Sequence, residues 1–203
     1  MGVVEVLLTT GQTAEELGCA ITTFRRLVRA DLLPDLSRRG VRVMVPLESV
    51  HALRDRPTAA LEHLPAREIG VLRVDAARRV QEEDRQWIGF STRLPPADLL
   101  KALRGWWRCD APSVAAAGVL PVTLSGYVVA VLTGLEVWEK NAQGRYAFPH
   151  ARLAGYVTDL ATPVHHVTAS SQADWMLADL LLGSRLVSHS GGTIAYVNTR
   201  TRS

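Results

Sequence analysis

Cysteine, lysine and long apolar runs are all scarce in this chain of 203 residues. Cys19 and Cys109 are the two cysteines, and neither C-x-x-C spacing nor nearby histidines accompany them. That excludes a disulfide framework and argues against structural zinc, leaving two isolated thiols. No stretch of about 18 apolar residues runs free of charged or turn residues, and no basic segment precedes an apolar one at the N-terminus. The expectation is a cytoplasmic protein without a membrane partner. Lysine is nearly absent: only Lys101 and Lys140 interrupt an otherwise all-arginine set among 23 basic residues, a bias that reflects coding composition more than mechanism. G-x-G-x-x-G and G-x-x-x-x-G-K-[ST] are missing too, so phosphate-cradling enzymes have no motif support.

What is present is the composition of a packed domain, 47% hydrophobic and 21% charged. The length suits one ordinary domain, or a small module followed by a larger one. The formal net charge of +3 says little about partners, but its distribution says more. Between Ile21 and Val45 stand Arg25, Arg26, Arg29, Arg38, Arg39 and Arg42 against only Asp31 and Asp35. This window alone carries more positive charge than the whole chain, the footprint of a polyanion-binding surface.

The residues of that window and those before it have a pattern. Thr10 is placed to cap a first helix, with Glu15 and Glu16 in its early turns where the dipole favours acid. Gly18 supplies a sharp turn within Leu17-Gly18-Cys19-Ala20. A second helix is expected over 21–31, with Phe24, Leu27 and Val28 on one face and the arginines spread over the others. Two helices joined by a short turn containing glycine, the second rich in arginine, answer to a helix-turn-helix. The stretch "SRRGVRVMV" then reads as a β-hairpin, or wing, over 36–45 with arginines at its tip, and "LESVHALRD" as a small closing helix.

The segment "LLTTGQTAEELGCAITTFRRLVRADLLP", with "SRRGVRVMVPLESVHAL" after it, resembles the winged helix-turn-helix of the MerR superfamily, closest to the short excisionase-like branch. The resemblance covers residues 7–54. It implies that helix 21–31 enters the major groove of double-stranded DNA and that wing 36–45 follows phosphates or the neighbouring minor groove. The residues it places near DNA are Thr22, Thr23, Arg25, Arg26 and Arg29 from the helix, and Arg38, Arg39 and Arg42 from the wing. Most arginine contacts in such modules are to phosphate, so no base code follows. Two positions depart from the family pattern. Ala20 stands where a Ser or Thr cap is usual, leaving Thr22 and Thr23 to cap later or not at all, and Asp31 stands where the exit turn often has glycine.

Beyond 1–57, residues 58–67 read as a linker or short connecting helix stopped by Pro65, and 68–203 as a mixed α+β domain for dimerisation or sensing. Residues 68–94 fit either two strands around a turn or a helix followed by a strand. A helix is expected over about 96–108 and another through Trp175, Leu177, Leu181 and Leu182, with Gly183 as its C-cap. Strands rich in Val and Tyr break at Gly126 and Gly134, "NAQGRYAFP" is a turn leading into another strand, and Gly191-Gly192 suggests a C-terminal hairpin. Trp106 and Trp107 point about 100° apart on a helix, so one belongs to the core and the other to an interface. His165-His166 diverge and have no carboxylate at ligand spacing, which argues against metal, and "SHSGG" at 188–192 lacks a nucleophile-elbow context.

The resulting fold class is α+β, an N-terminal winged helix-turn-helix followed by a mixed α+β domain. The expected function is site-specific binding of double-stranded DNA, as a nucleoid-associated transcriptional regulator that works as a homo-oligomer or side by side on DNA. No catalytic residue, metal or cofactor is assigned. Two alternatives stand beside it: an excisionase-like or partition-type architectural factor of a mobile element, and a nucleic-acid-modifying enzyme with its site in the C-terminal domain.

Overall fold

The computed structural model describes residues 5–82, 84–162, 164–189 and 192–200, and its architecture is mixed α+β. The chain begins with β1 (Leu7–Thr9), α1 (Thr10–Glu16) and α2 (Ile21–Arg29). The hairpin β2 (Ser37–Arg39) and β3 (Arg42–Pro46) follows, then α3 (Leu47–Arg54). These strands form a three-stranded sheet in the order β1-β3-β2. Helix α1 starts one residue earlier than the sequence suggests. Thr9, not Thr10, is its cap, accepting a hydrogen bond from the Gln12 amide while the Gln12 side chain accepts from the Thr9 amide. The helix ends at Leu17, and Gly18 takes φ +62°, the left-handed conformation that lets the chain reverse into α2.

Helix α2 stops at Arg29, two residues short of the expected 31, because Asp31 itself adopts φ +57°. Aspartate tolerates that region better than most residues, and here its carboxylate accepts from Arg93 at 2.6 Å. Asp31 thus does the conformational work of glycine. Phe24 and Leu27 are buried on the inner face of α2, each contributing about 1.5–3 kcal/mol relative to exposure.

After Arg54 the chain does not become a loose tether. Ala59, Leu61 and Leu64 are buried around a 3-10 turn at Leu61–His63, and the Ala59 amide donates to the Arg185 carbonyl. Next come β4 (Glu68–Arg73), the short pair β5 (Arg78–Arg79) and β6 (Trp87–Ile88), α4 (Pro96–Leu103) and α5 (Ala111–Ala117). Residues 68–94 therefore hold strands without a helix among the described residues. Helix α4 is shorter than expected, since Arg104 is already extended. The remaining elements are β7 (Leu120–Leu124), β8 (Tyr127–Thr133), β9 (Glu139–Lys140), β10 (Tyr146–Ala147), β11 (Arg152–Asp159), β12 (Val164–Val167), α6 (Gln172–Leu181) and β13 (Ile194–Asn198).

Six strands form the main sheet, in the order β12-β11-β8-β7-β4-β13. Only β4 and β7 are parallel; the other neighbours are antiparallel. Strands β7 and β8 are buried throughout, as central strands covered on both faces should be. Helix α6 packs on β8 and β11, and Gly155 leaves space for it: a Cβ there would lie 2.9 Å from Leu182 Cδ1 and 3.1 Å from the His166 carbonyl oxygen. Gly183 follows α6 with φ +71°, in agreement with the expected helix stop. The C-terminal hairpin is a correction. β13 pairs with β4 from Ile194↔Leu72 to Asn198↔Glu68, while Leu186 turns its amide to the Gly126 carbonyl. Gly191, half of the proposed turn, lies outside the described residues. Among the described residues no helix is long and apolar enough to cross a membrane.

One apolar cluster runs from Ala14 and Phe24 through Leu53 to the main sheet. Hydrogen bonds reinforce this continuity. The Tyr127 hydroxyl donates to the Leu53 carbonyl at 3.1 Å, the Leu160 amide to Leu32 at 3.0 Å and the Thr92 amide to Ala30 at 3.1 Å. The orientation of α2 is thereby set by the larger sheet as well as by α1.

Candidate nucleic-acid interface

The exposed side of α2 follows from where its apolar residues go. With Phe24 and Leu27 inward, a 100° step per residue turns Thr22, Arg25, Arg26 and Arg29 outward, and all four are exposed. Ala20 is the N-cap and makes no side-chain cap hydrogen bond; neither Thr22 nor Thr23 replaces it. Arg26 and Arg29 sit in the last turn, where their charge complements the helix dipole.

The β2–β3 hairpin places the other arginines. Gly40, at φ +59°, makes the tip with Val41, which is 97% exposed. Arg39 lies directly opposite Arg42 and Arg38 opposite Val43. Two like charges facing one another across an antiparallel pair destabilise it unless an anion intervenes. Among the described residues no carboxylate lies within 4 Å of Arg25, Arg29, Arg38, Arg39 or Arg42.

Arg25 and Arg29 from α2 and Arg42 from β3 line one concavity of about 520 Å³, floored by Val28 and Val43 and closed by Thr10 and Gly11 at the start of α1. Arg38 and Arg39 stand exposed on the adjoining strand, and Thr22 is exposed at the start of α2. Thr23 and Arg26 occupy the other flank of α2, against the main sheet. The Thr23 carbonyl accepts from the Ser125 hydroxyl at 2.8 Å, and Arg26 pairs with Asp75 at 3.6 Å. A second concavity of about 630 Å³ opens there, lined by Arg26, Arg73, Asp75, Ser125 and Thr193. Arg73, Asp75 and Ser125 carry no signal in the sequence, because only the tertiary fold brings them beside α2.

The other motifs resolve into packing. Trp107 is buried against Phe148 with ring centroids 5.9 Å apart, and Trp106 stays 39% exposed, the division expected for neighbouring helical positions even though both fall beyond the end of α4. His166 stacks on Tyr156 at 5.1 Å, whereas His165 is half-buried beside Gly183. Burial, helped by the charge of Arg56, holds the His165 imidazole below its ordinary range, with Asp179 opposing. No group of three potential metal ligands occurs among the described residues. Burial pushes the Cys109 thiol up to about 11, with Asp110 adding to the effect, so it is a poor nucleophile at neutral pH.

No known protein family, curated protein or solved structure matches the chain.

Proposed function

We propose that the protein binds specific sites on double-stranded DNA and regulates transcription, with residues 7–54 acting as a winged helix-turn-helix of the kind the MerR superfamily uses. In this reading α2 enters the major groove and the β2–β3 hairpin lies along the flanking phosphates. The observation that carries it is the convergence of Arg25, Arg29 and Arg42 on one concavity while the facing Arg39 and Arg42 have no carboxylate within 4 Å among the described residues. A phosphate backbone supplies the missing negative charge, and counterion release supplies the affinity.

The protein acts by binding rather than by chemistry. A single module of this size gives limited affinity, so self-association or side-by-side occupancy of repeated sites completes the assembly. The test is the salt dependence of duplex binding by the full chain, followed by fluorescence anisotropy. Arg39→Ala and Arg42→Ala are each expected to weaken binding and to lower the slope of log K against log salt by about 0.9. Unchanged slopes in both variants reject the assignment.

A further inference from the structure

A cleft of about 400 Å³ opens where the chain leaves β4, away from the concavity between α2 and the hairpin. That volume lies within the range of small-molecule sites. One wall is apolar, built from Leu72, Ile88, Leu103 and Trp107, and Trp106 lines the cleft beside them. Arg73, Arg78, Arg85 and Arg145 line it as well, outnumbering Asp75 and Glu82 among the charged lining residues.

The geometry is built in rather than incidental. The Arg85 side chain is only 12% exposed; its Nε donates to Glu82 at 2.6 Å and its Nη1 to the Arg104 carbonyl at 2.5 Å. Gly105 leaves room for that side chain: a Cβ there would meet Arg85 Nη1 at 2.8 Å and push the guanidinium aside. Gly89, at φ +100°, lets the opposite wall close, since a Cβ there would lie 2.5 Å from the Asp75 carbonyl oxygen. Arg78 and Arg145 have no carboxylate within 4 Å among the described residues, and Trp106 keeps 39% of its surface exposed.

Two simple occupants fit this lining poorly. A bare anion would leave the apolar wall and the indole in contact with water, and an uncharged hydrophobic molecule would desolvate guanidinium groups without pairing them. A ligand with a planar ring and a phosphate chain satisfies both halves: an aromatic ring packs on Trp106 and the apolar wall, and phosphate oxygens take Arg78 and Arg145. We propose that this cleft binds a free nucleotide. No residue of α2 or the hairpin lines the cleft, although Asp75, the ion-pair partner of Arg26, does; binding measured without DNA therefore reads this site apart from the proposed DNA interface.

The test is titration calorimetry on the full chain without DNA, using each of the four ribonucleoside triphosphates alone, then the matching nucleoside, inorganic tripolyphosphate and a single-stranded oligonucleotide. At least one triphosphate is expected to bind, with its nucleoside and tripolyphosphate at least about tenfold weaker. Trp106→Ala and Arg145→Gln, both at exposed positions, are each expected to weaken binding by about tenfold, and Trp106→Phe to restore most of the loss. The proposal is overturned if no triphosphate binds up to about 1 mM, if both variants bind as the wild type does, if tripolyphosphate matches the nucleotide, or if only the oligonucleotide binds.

Discussion

Replacing Ala20 with serine is expected to stabilise the protein by about 1 kcal/mol, within a usual range of roughly 0.5–2 kcal/mol for gaining an N-cap. The structure has the site ready. Ala20 sits at φ −65° and ψ 143°, the extended geometry of a capping residue, and its exposed side chain leaves room for a hydroxyl. No side chain now caps α2, while the Ala20 carbonyl already accepts from the Thr23 and Phe24 amides. A serine Oγ would reach the Thr22 or Thr23 amide without moving the backbone. The assay is equilibrium unfolding in urea; at a slope of about 2–3 kcal/mol per molar, the midpoint should rise by about 0.3–0.5 M with the slope unchanged. Ala20→Gly separates the hydroxyl from backbone effects and should fall below serine by a few tenths of a kcal/mol. A serine variant no more stable than the wild type would show that α2 does not begin where the structure puts it.

Three further outcomes follow from other contacts. Tyr127→Phe removes the hydroxyl bonded to the Leu53 carbonyl, which keeps the Arg56 amide as a donor, and should cost about 0.5–1.5 kcal/mol in the same unfolding assay, with no change in slope; a neutral result would mean that α3 and the sheet are not joined there. The His165 imidazole is held below its ordinary value of 6.5, so its neutral form is favoured in the folded state. Its contribution is intact above pH 6.5 and is lost as pH falls below that value toward the depressed folded one, because the unfolded chain takes the proton first. His165→Gln should flatten that acid limb, and identical pH profiles for the two proteins would reject the assignment. Asp75→Asn releases Arg26 from an exposed pair at 3.6 Å, worth at most about 1 kcal/mol, and is expected to raise duplex affinity by up to about fivefold in anisotropy titrations; unchanged affinity would mean that this flank of α2 faces away from DNA.

The elements legible in the sequence are those whose cause is local. The turn at Gly18, the apolar face of α2 and the Gly40 hairpin are all dictated by residues within a few positions of one another, and the structure forms each of them. The same holds for α6 and for the break at Gly126 between β7 and β8. Where neighbours compete, the local reading slips. Thr9 and Thr10 are both capable caps, and the Gln12 side chain decides for Thr9. Helix α5, capped by Asp110 and stopped by Gly118 at φ +68°, passes unnoticed in "APSVAAA" because its apolar positions are mostly alanine.

Long-range pairings are harder still. Strand β13 joins β4, over a hundred residues earlier, and nothing near Gly191-Gly192 announces that partner. The candidate interface divides along the same line. Arg25, Arg29, Arg38, Arg39 and Arg42 stand out as a charge cluster, and Asp31 can be singled out as an unusual exit residue. Its pairing with Arg93, the meeting of Thr23 with Ser125 and the ion pair between Arg26 and Asp75 arise only when the sheet packs against α2. Likewise Trp106 and Arg145, separated in the chain by α5 and strands β7 to β9, share a cleft only because Trp107 pairs with Tyr146.

The central claim, specific recognition of duplex DNA by α2 and the hairpin, is tested most directly by selection from a random duplex library with the purified full chain. The account predicts a discrete enriched sequence, bound far more tightly than scrambled duplex at the same salt, with enrichment abolished in the Arg25→Ala/Arg42→Ala double variant. A wild-type pool that stays random, or one that enriches equally with the double variant, would contradict it.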